Sequence, residues 1–168
     1  MIVVSSLNHA MEAHRRFRPS HVVSILDHEE ADAPAFDGLA EENHLQLISN
    51  CSQADNCAES ETPRCDKLIA LARDWDRSAP ILIHCNQGVA RSMAAAYIIM
   101  CAVEDHRSER AIAEDLRKAA PHADPNLLLI SEADGLMNRD DRMIEAILDL
   151  TPSCGAVAKP IVTLPVAA

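Results

Sequence analysis

The sequence predicts a single α/β domain with a short, mostly parallel central sheet flanked by helices. Three short runs of aliphatic and β-branched residues, at 2–4, 21–26 and 44–48, are separated by segments with helical periodicity. A fourth apolar run, residues 80–85, ends abruptly, and a short loop separates it from a long apolar segment at 93–103. Strands that alternate with helices in this way are typical of a parallel sheet covered by helices.

The helices are predicted from their apolar faces and their end signals. Pro19 ends the first helix, which covers residues 8–18. Thr62 is the expected N-cap of the next one, with Pro63 at its first helical position. Ser108 is the expected N-cap of a helix that runs to residue 118. Further helices are predicted at 93–103, 126–138 and 141–150.

The C-terminal segment differs from the rest of the chain. Residues 151–168 contain three prolines and one glycine, and they show no clear helical periodicity. We therefore predict a folded domain over residues 1–150 and an irregular tail over 151–168.

Composition and charge exclude several classes of function. The chain has 168 residues, which suits one domain with a sizeable core. Its net charge of −11 argues against nucleic acid and anionic membranes as partners, because both bind basic surfaces. No apolar run is long enough to span a membrane, and the first residues lack the pattern of a signal peptide. We therefore expect a cytoplasmic protein.

The cysteines do not follow a metal-binding pattern. They lie at positions 51, 57, 65, 85, 101 and 154, and no C-x-x-C pair occurs. Structural zinc is therefore not expected, and the sequence indicates no other metal or cofactor. In a reducing compartment, scattered thiols mostly serve as core residues.

Cys85 stands apart because it ends a predicted strand directly before a helix N-terminus. Unpaired backbone N–H groups and the helix dipole stabilise an anion there, so we expect a nucleophilic thiolate. The guanidinium of Arg91 matches two oxygens of a phosphoryl group. Gly88 allows the loop to turn closely around a ligand. Ser92 is the expected N-cap of the helix, and its hydroxyl could reach the sulfur.

The segment His84-Cys85-Asn86-Gln87-Gly88-Val89-Ala90-Arg91-Ser92 resembles the H-C-x-x-G-x-x-R-[ST] signature of the cysteine-dependent protein tyrosine phosphatases. The chain is most similar to their compact, dual-specificity-like bacterial branch, over roughly residues 1–150. The resemblance implies hydrolysis of phosphate monoesters through a phosphocysteine on Cys85, with Ser92 assisting release. It also implies that Arg91 and the loop from His84 to Ala90 bind the phosphoryl group. We interpret His84 as a buried, hydrogen-bonded residue rather than an acid or base.

The family's general acid is an aspartate on a loop that follows an upstream strand. The equivalent loop covers residues 50–61, and Asp55 is its only aspartate. Asp55 is therefore the predicted acid, which would protonate the leaving group. In compact relatives the acid follows the strand more closely, where this chain has Cys51. If Cys51 occupies the position of the acid, catalysis would be weaker, or Glu59 or Glu61 would act as the acid instead.

The substrate class follows from the variable positions of the loop. Asn86, Gln87, Val89 and Ala90 carry no positive charge, whereas a loop for multiply phosphorylated inositols is expected to add Lys or Arg. The sequence therefore favours a singly phosphorylated group, such as phosphotyrosine in a protein or a small phosphomonoester.

Two alternative functions and one redox hypothesis remain open. A catalytically inactive phosphate-binding module would keep Arg91 and the loop without a working acid. Sulfurtransferases and arsenate reductases also place a cysteine in an anion-binding loop, although the six-residue step from Cys85 to Arg91 argues against most of them. Cys51 or Cys57 could form a reversible disulfide with Cys85 and protect it from over-oxidation.

Overall fold

The computed structural model describes residues 1–27, 34–49, 62–150 and 156–166. Its centre is a five-stranded sheet in the order β3-β2-β4-β1-β5. The first four strands are mutually parallel, and only β5 is antiparallel, to β1. This confirms the predicted α/β class. The strands are β1 (Ile2–Ser6), β2 (His21–Asp27), β3 (His44–Ser49), β4 (Ile81–Cys85) and β5 (Ile161–Leu164).

Each predicted helix is present within about two residues of its expected bounds. Ser108 caps its helix as expected, because its side chain accepts a hydrogen bond from the Ala111 N–H. No helix in the described ranges is both long and apolar enough to cross a bilayer. The helices are α1 (Leu7–Phe17), α2 (Thr62–Asp74), α3 (Arg91–Val103), α4 (Glu109–Ala119), α5 (Leu127–Leu136) and α6 (Arg142–Leu148).

The two faces of the sheet are covered differently. Alternate residues of each strand point to opposite faces, so Val3, Val22 and Leu82 form one cluster with α1 and Phe36. The other face packs against α2 to α6, and α3 lies at the centre of that layer. The side chains of α3 are buried from Ser92 to Cys101, which explains why this segment is apolar on all sides.

The strand register brings the carboxyl ends of the parallel strands to one edge of the sheet. Ser6 of β1 lies opposite Cys85 of β4, and Ile25 of β2 lies opposite Cys85 on the other side. In parallel sheets ligands bind beyond this edge. The fold therefore places Cys85 in the central strand at the edge where a site is expected.

The predicted irregular tail over residues 151–168 is wrong for Ile161–Leu164, which form β5. Val162 and Leu164 are buried and face the same core as the neighbouring residues of β1. The prediction rested on the density of prolines, but Pro160 and Pro165 only bracket the strand. Proline is tolerated at the ends of an edge strand, where fewer ladder hydrogen bonds are needed.

Leu164 tests whether β5 is part of the folded domain. Its side chain is fully buried, whereas Thr163 on the same strand is exposed. Leu164→Ala should reduce the free energy of unfolding by about 2–5 kcal/mol, since it leaves a cavity in the core. Thr163→Ala should stay within about 0.5 kcal/mol of the wild type. Urea denaturation measures both, and equal stabilities for the two variants would contradict the packing of β5.

Candidate active site

The sulfur of Cys85 lies between a loop amide and a helix hydroxyl. Cys85 ends β4 and is only 3% exposed. The Gly88 N–H donates a hydrogen bond to Sγ at 3.3 Å, and Ser92 Oγ lies 3.1 Å from Sγ. The sulfur is therefore covered by polar groups of the loop and of the first turn of α3.

The helix after the loop begins two residues earlier than predicted. Arg91 is its first residue and Ala90 its N-cap, so the prediction that Ser92 is the N-cap is wrong. The backbone of Ala90 already has helical torsion angles, which moves the start of the helix forward. The hydroxyl of Ser92 is buried within the first turn and is directed to the sulfur instead.

Gly88 is required for two separate reasons. Its φ is +73°, a backbone conformation that residues with a side chain rarely adopt. A Cβ at this position would also lie 2.8 Å from the carbonyl carbon of Ser5 and from the nitrogen of Ser6. The loop therefore lies directly on the backbone at the end of β1. A hydrogen bond from the Leu7 N–H to the Asn86 carbonyl, at 3.1 Å, fixes the same contact.

The loop is held on its other side by the segment that precedes α5. The Asp124 N–H donates to the carbonyl of Val89 at 3.1 Å, and the Asn126 N–H donates to that of Ala90 at 3.3 Å. Within the described ranges, the N–H groups of Val89 and Ala90 make no hydrogen bond themselves. The loop is thus fixed through its carbonyl groups, which leaves backbone donors for an anion.

Arg91 forms a paired interaction with a residue that the sequence analysis missed. Its two terminal nitrogens, Nη1 and Nη2, donate to the two carboxylate oxygens of Asp27 at 2.6 and 3.0 Å. The side chains are 20% and 33% exposed. One sequence signal could have identified Asp27: it is the charged residue that directly follows the apolar strand at 21–26, at the carboxyl edge of the sheet.

His84 is a buried, neutral residue that points away from the thiol chemistry. It has no exposed surface, and its Nε2 lies 2.6 Å from the hydroxyl of Ser24. Burial lowers the pKa of His84 to about 4, with a smaller contribution from His44. Its ring lies 5.9 Å from that of Phe36, on the α1 side of the sheet. These contacts agree with its interpretation as a buried, hydrogen-bonded histidine.

The remaining site residues predicted from the sequence are either exposed in the loop after Cys85 or outside the described residues. Asn86 and Gln87 are exposed at the tip of the loop. No group of three potential metal ligands occurs among the residues that were described. The predicted general acid and the residues considered beside it lie outside the described residues: Asp55, Cys51, Cys57, Glu59 and Glu61.

Two other cysteines of the described residues are core thiols and provide a contrast with Cys85. Cys65 and Cys101 are buried in the core, and burial raises the pKa of Cys101 to about 12. The Cys65 thiol donates to the carbonyl of Leu129. Neither lies at the carboxyl edge of the sheet, so Cys85 is the thiol in the described ranges that combines a loop amide with a nearby arginine.

Comparison with known proteins shows similarity in structure but not in sequence. No family model matches the chain, and no curated protein matches its sequence. The human tyrosine phosphatase-like serine/threonine/tyrosine-interacting protein superposes with a TM-score of 0.60 at 16% identity, covering 83% of this chain and 92% of that one. Human DUSP28 gives a TM-score of 0.55 at 17% identity, with 83% and 90% coverage.

A third solved structure, PTPMT1 in complex with PI(5)P, gives a TM-score of 0.59 at 13% identity and covers 83% of this chain and 94% of that one. All three are phosphatases or phosphatase-like proteins by name, and the chain spans nearly the whole of each. The order of strands and helices agrees with the resemblance carried by the signature around Cys85. The chain therefore has the fold of the cysteine-dependent phosphatases of the dual-specificity type.

Proposed function

We propose that this protein is a phosphatase that hydrolyses phosphate monoesters, protein phosphotyrosine above all, through a phosphocysteine on Cys85. One observation carries the proposal. The Cys85 sulfur sits at the carboxyl edge of the sheet, in contact with the Gly88 amide and the Ser92 hydroxyl. An oriented arginine, Arg91, begins the helix that follows. This combination supplies a nucleophile, anion donors and a fixed positive charge in one loop.

In the first step, the Cys85 thiolate attacks phosphorus, and an S–P bond forms as the bond from phosphorus to the leaving oxygen breaks. The leaving oxygen takes a proton from the general acid. The charge on the transferring group spreads over its equatorial oxygens, which are stabilised by positioned N–H donors. Arg91 and the free backbone N–H groups of Val89 and Ala90 are the donors in this loop.

In the second step, water attacks phosphorus and gives a proton to the general acid, which lost its own in the first step. The S–P bond breaks, so the sulfur leaves as a thiolate and inorganic phosphate is released. The Ser92 hydroxyl is 3.1 Å from Sγ and can donate a hydrogen bond to the sulfur as negative charge develops there. The Gly88 N–H donates to the same atom. These two donors stabilise the thiolate as both nucleophile and leaving group.

The general acid remains the aspartate predicted from the sequence, Asp55. The only carboxylate paired with a loop residue in the described part of the chain is Asp27, and both of its oxygens bind Arg91. Because Arg91 N–H groups already bind both oxygens, this carboxylate is committed to the arginine. A residue of the 50–61 loop is therefore the better candidate.

The substrate proposal rests on the charges around the loop. Asn86 and Gln87 are exposed, polar and uncharged, and no Lys or Arg other than Arg91 belongs to the loop. A second phosphate on the substrate would find no cationic side chain within it. This favours a single phosphate group, as in phosphotyrosine, over a polyphosphorylated inositol.

Replacing the nucleophile tests the reaction itself. Cys85→Ser should abolish turnover of p-nitrophenyl phosphate and of a tyrosine phosphopeptide, while tungstate binding persists, because the loop donors remain. Cys65→Ser is the matched control, since it makes the same change in a buried thiol on α2, and it should keep activity. Steady-state kinetics and calorimetry give the two measurements.

The same assay separates the alternatives. The nitrophenolate leaving group needs little protonation, so a wild-type protein that binds tungstate without any turnover would be a phosphate-binding module. Activity with thiosulfate or arsenate, in place of the phosphomonoester, would instead indicate a different thiol enzyme.

Arg91→Lys tests the need for a planar, two-point donor. A lysine keeps the charge but cannot donate two parallel hydrogen bonds, so kcat/KM should fall by about 100-fold or more. Arg110→Lys is the matched control, because Arg110 is an exposed arginine on α4 that also pairs with carboxylates. If both variants keep nearly the wild-type kcat/KM, Arg91 does not stabilise the transferring group.

Asp55→Asn tests the predicted acid. A general acid must be protonated, so the wild-type rate should fall as the pH rises through the pKa of that group. The variant should lose this basic limb, and its rate should drop by about 10²-fold or more with phenyl phosphate, whose leaving group needs protonation. The loss should be smaller with p-nitrophenyl phosphate. Glu59→Gln and Glu61→Gln are the controls, and a flattened limb in either would reassign the acid.

A further inference from the structure

We propose that Asp27 is a positioning residue that orients the Arg91 guanidinium toward the transferring phosphoryl group. The inference rests on the proposed function, and it assigns a role to a carboxylate that no part of the phosphatase signature contains. The contact joins residues 64 positions apart in the sequence.

The geometry of the pair defines what Asp27 does to the arginine. Nη1 and Nη2 each donate to a different carboxylate oxygen, at 2.6 and 3.0 Å. Two parallel hydrogen bonds fix both the position and the plane of the guanidinium, which one bond would not do. Among the described residues, Arg91 forms no other hydrogen bond or ion pair. Three of the five N–H donors of the guanidinium are therefore left, and two of them, on Nε and on the adjacent terminal nitrogen, share one edge.

The two N–H groups on that shared edge are the donors that a phosphoryl group needs. They lie on one edge of the planar guanidinium and point in parallel, at a spacing that matches two oxygens of a phosphate. Asp27 binds the end of the guanidinium formed by Nη1 and Nη2. The edge formed by Nε and one terminal nitrogen stays open. The carboxylate and a phosphoryl group can thus bind Arg91 at the same time, on different edges.

The position of Asp27 makes it a rigid support. It is the last residue of β2 and pairs with Ser49 of β3, while the pairing of β2 with β4 ends two residues earlier, at Ile25. Ile25 lies opposite Cys85 in the register, so Asp27 stands two residues beyond the nucleophile on the adjacent strand. A carboxylate on a central strand holds its partner more precisely than one on a loop.

Pre-ordering of Arg91 has an energetic reason. A long side chain that is free in solution must lose rotamer freedom when a ligand binds it, and this weakens binding. The Asp27 pair orders Arg91 before the ligand arrives. The opposite role, in which Asp27 competes with phosphate for the arginine, requires the ligand to displace the carboxylate. The two roles predict opposite effects of removing Asp27: tungstate binds more weakly if Asp27 positions the arginine and more tightly if Asp27 competes for it.

The test measures tungstate affinity by calorimetry in Asp27→Ala, Asp27→Asn and the matched charge control Asp74→Asn. Asp74 is an exposed carboxylate at the end of α2. Asp27→Ala should weaken tungstate binding by about tenfold or more, and kcat for p-nitrophenyl phosphate should fall by a similar factor. Asp27→Asn should be intermediate, because its amide oxygen still accepts one hydrogen bond from Arg91. Asp74→Asn should match the wild type.

A double-mutant cycle distinguishes positioning from a general effect on folding. In an Arg91→Ala background the Asp27→Ala change should no longer alter tungstate affinity, since there is no guanidinium to orient. An equal loss in both backgrounds would overturn the proposal. Tighter tungstate binding in Asp27→Ala would overturn it as well, and would identify a competing contact. If Asp27→Ala does not fold, judged by circular dichroism, the cycle is run with Asp27→Asn.

The tungstate measurements do not depend on turnover. A wild-type protein without phosphatase activity would refute the proposed function, while the change in tungstate affinity would still decide the role of Asp27. Normal turnover in the wild type with no change in affinity or kcat on removal of Asp27 would refute the positioning role alone.

Discussion

The direct contact between Gly88 and the end of β1 is the constraint on which the rest of the site depends. The backbone of the loop approaches Ser5 and Ser6 so closely that even a methyl group would overlap with them. This approach places the Gly88 N–H 3.3 Å from the Cys85 sulfur. The parallel pairing of β1 with β4 makes it possible, because it sets Ser6 opposite Cys85. The loop geometry is thus a consequence of strand register.

β2 provides the polar support on the other side of the central strand. Ser24 lies opposite His84 in the register, and its hydroxyl binds the imidazole on the α1 face of the sheet. Asp27, three residues later, binds Arg91 beyond the strand ends. Since the pKa of His84 is lowered to about 4, His84 is neutral at physiological pH. The fixed positive charge of the loop is therefore that of Arg91, and β2 orients it.

Much of this arrangement could be predicted from the sequence, because it depends on local patterns. Four strands and six helices follow from periodicity and end signals, and the loop follows from the spacing between Cys85 and Arg91. β5 was missed since a four-residue strand between two prolines carries little local signal, and its burial comes only from pairing with β1. Asp27 was missed for a related reason: its contact with Arg91 exists only because β2 lies next to β4.

The acidity of the whole chain and the proposed binding of phosphate are compatible because they act at different distances. The net charge is −11, and Asp27 neutralises much of the charge of Arg91. Long-range attraction of a phosphate is therefore weak, and salt screens such fields beyond about 8 Å at physiological ionic strength. At contact, however, the binding free energy comes from directed N–H groups on the guanidinium edge and on the loop backbone. A site built in this way depends on geometry rather than on net charge, which is why a glycine contact and a carboxylate on a neighbouring strand are decisive for it.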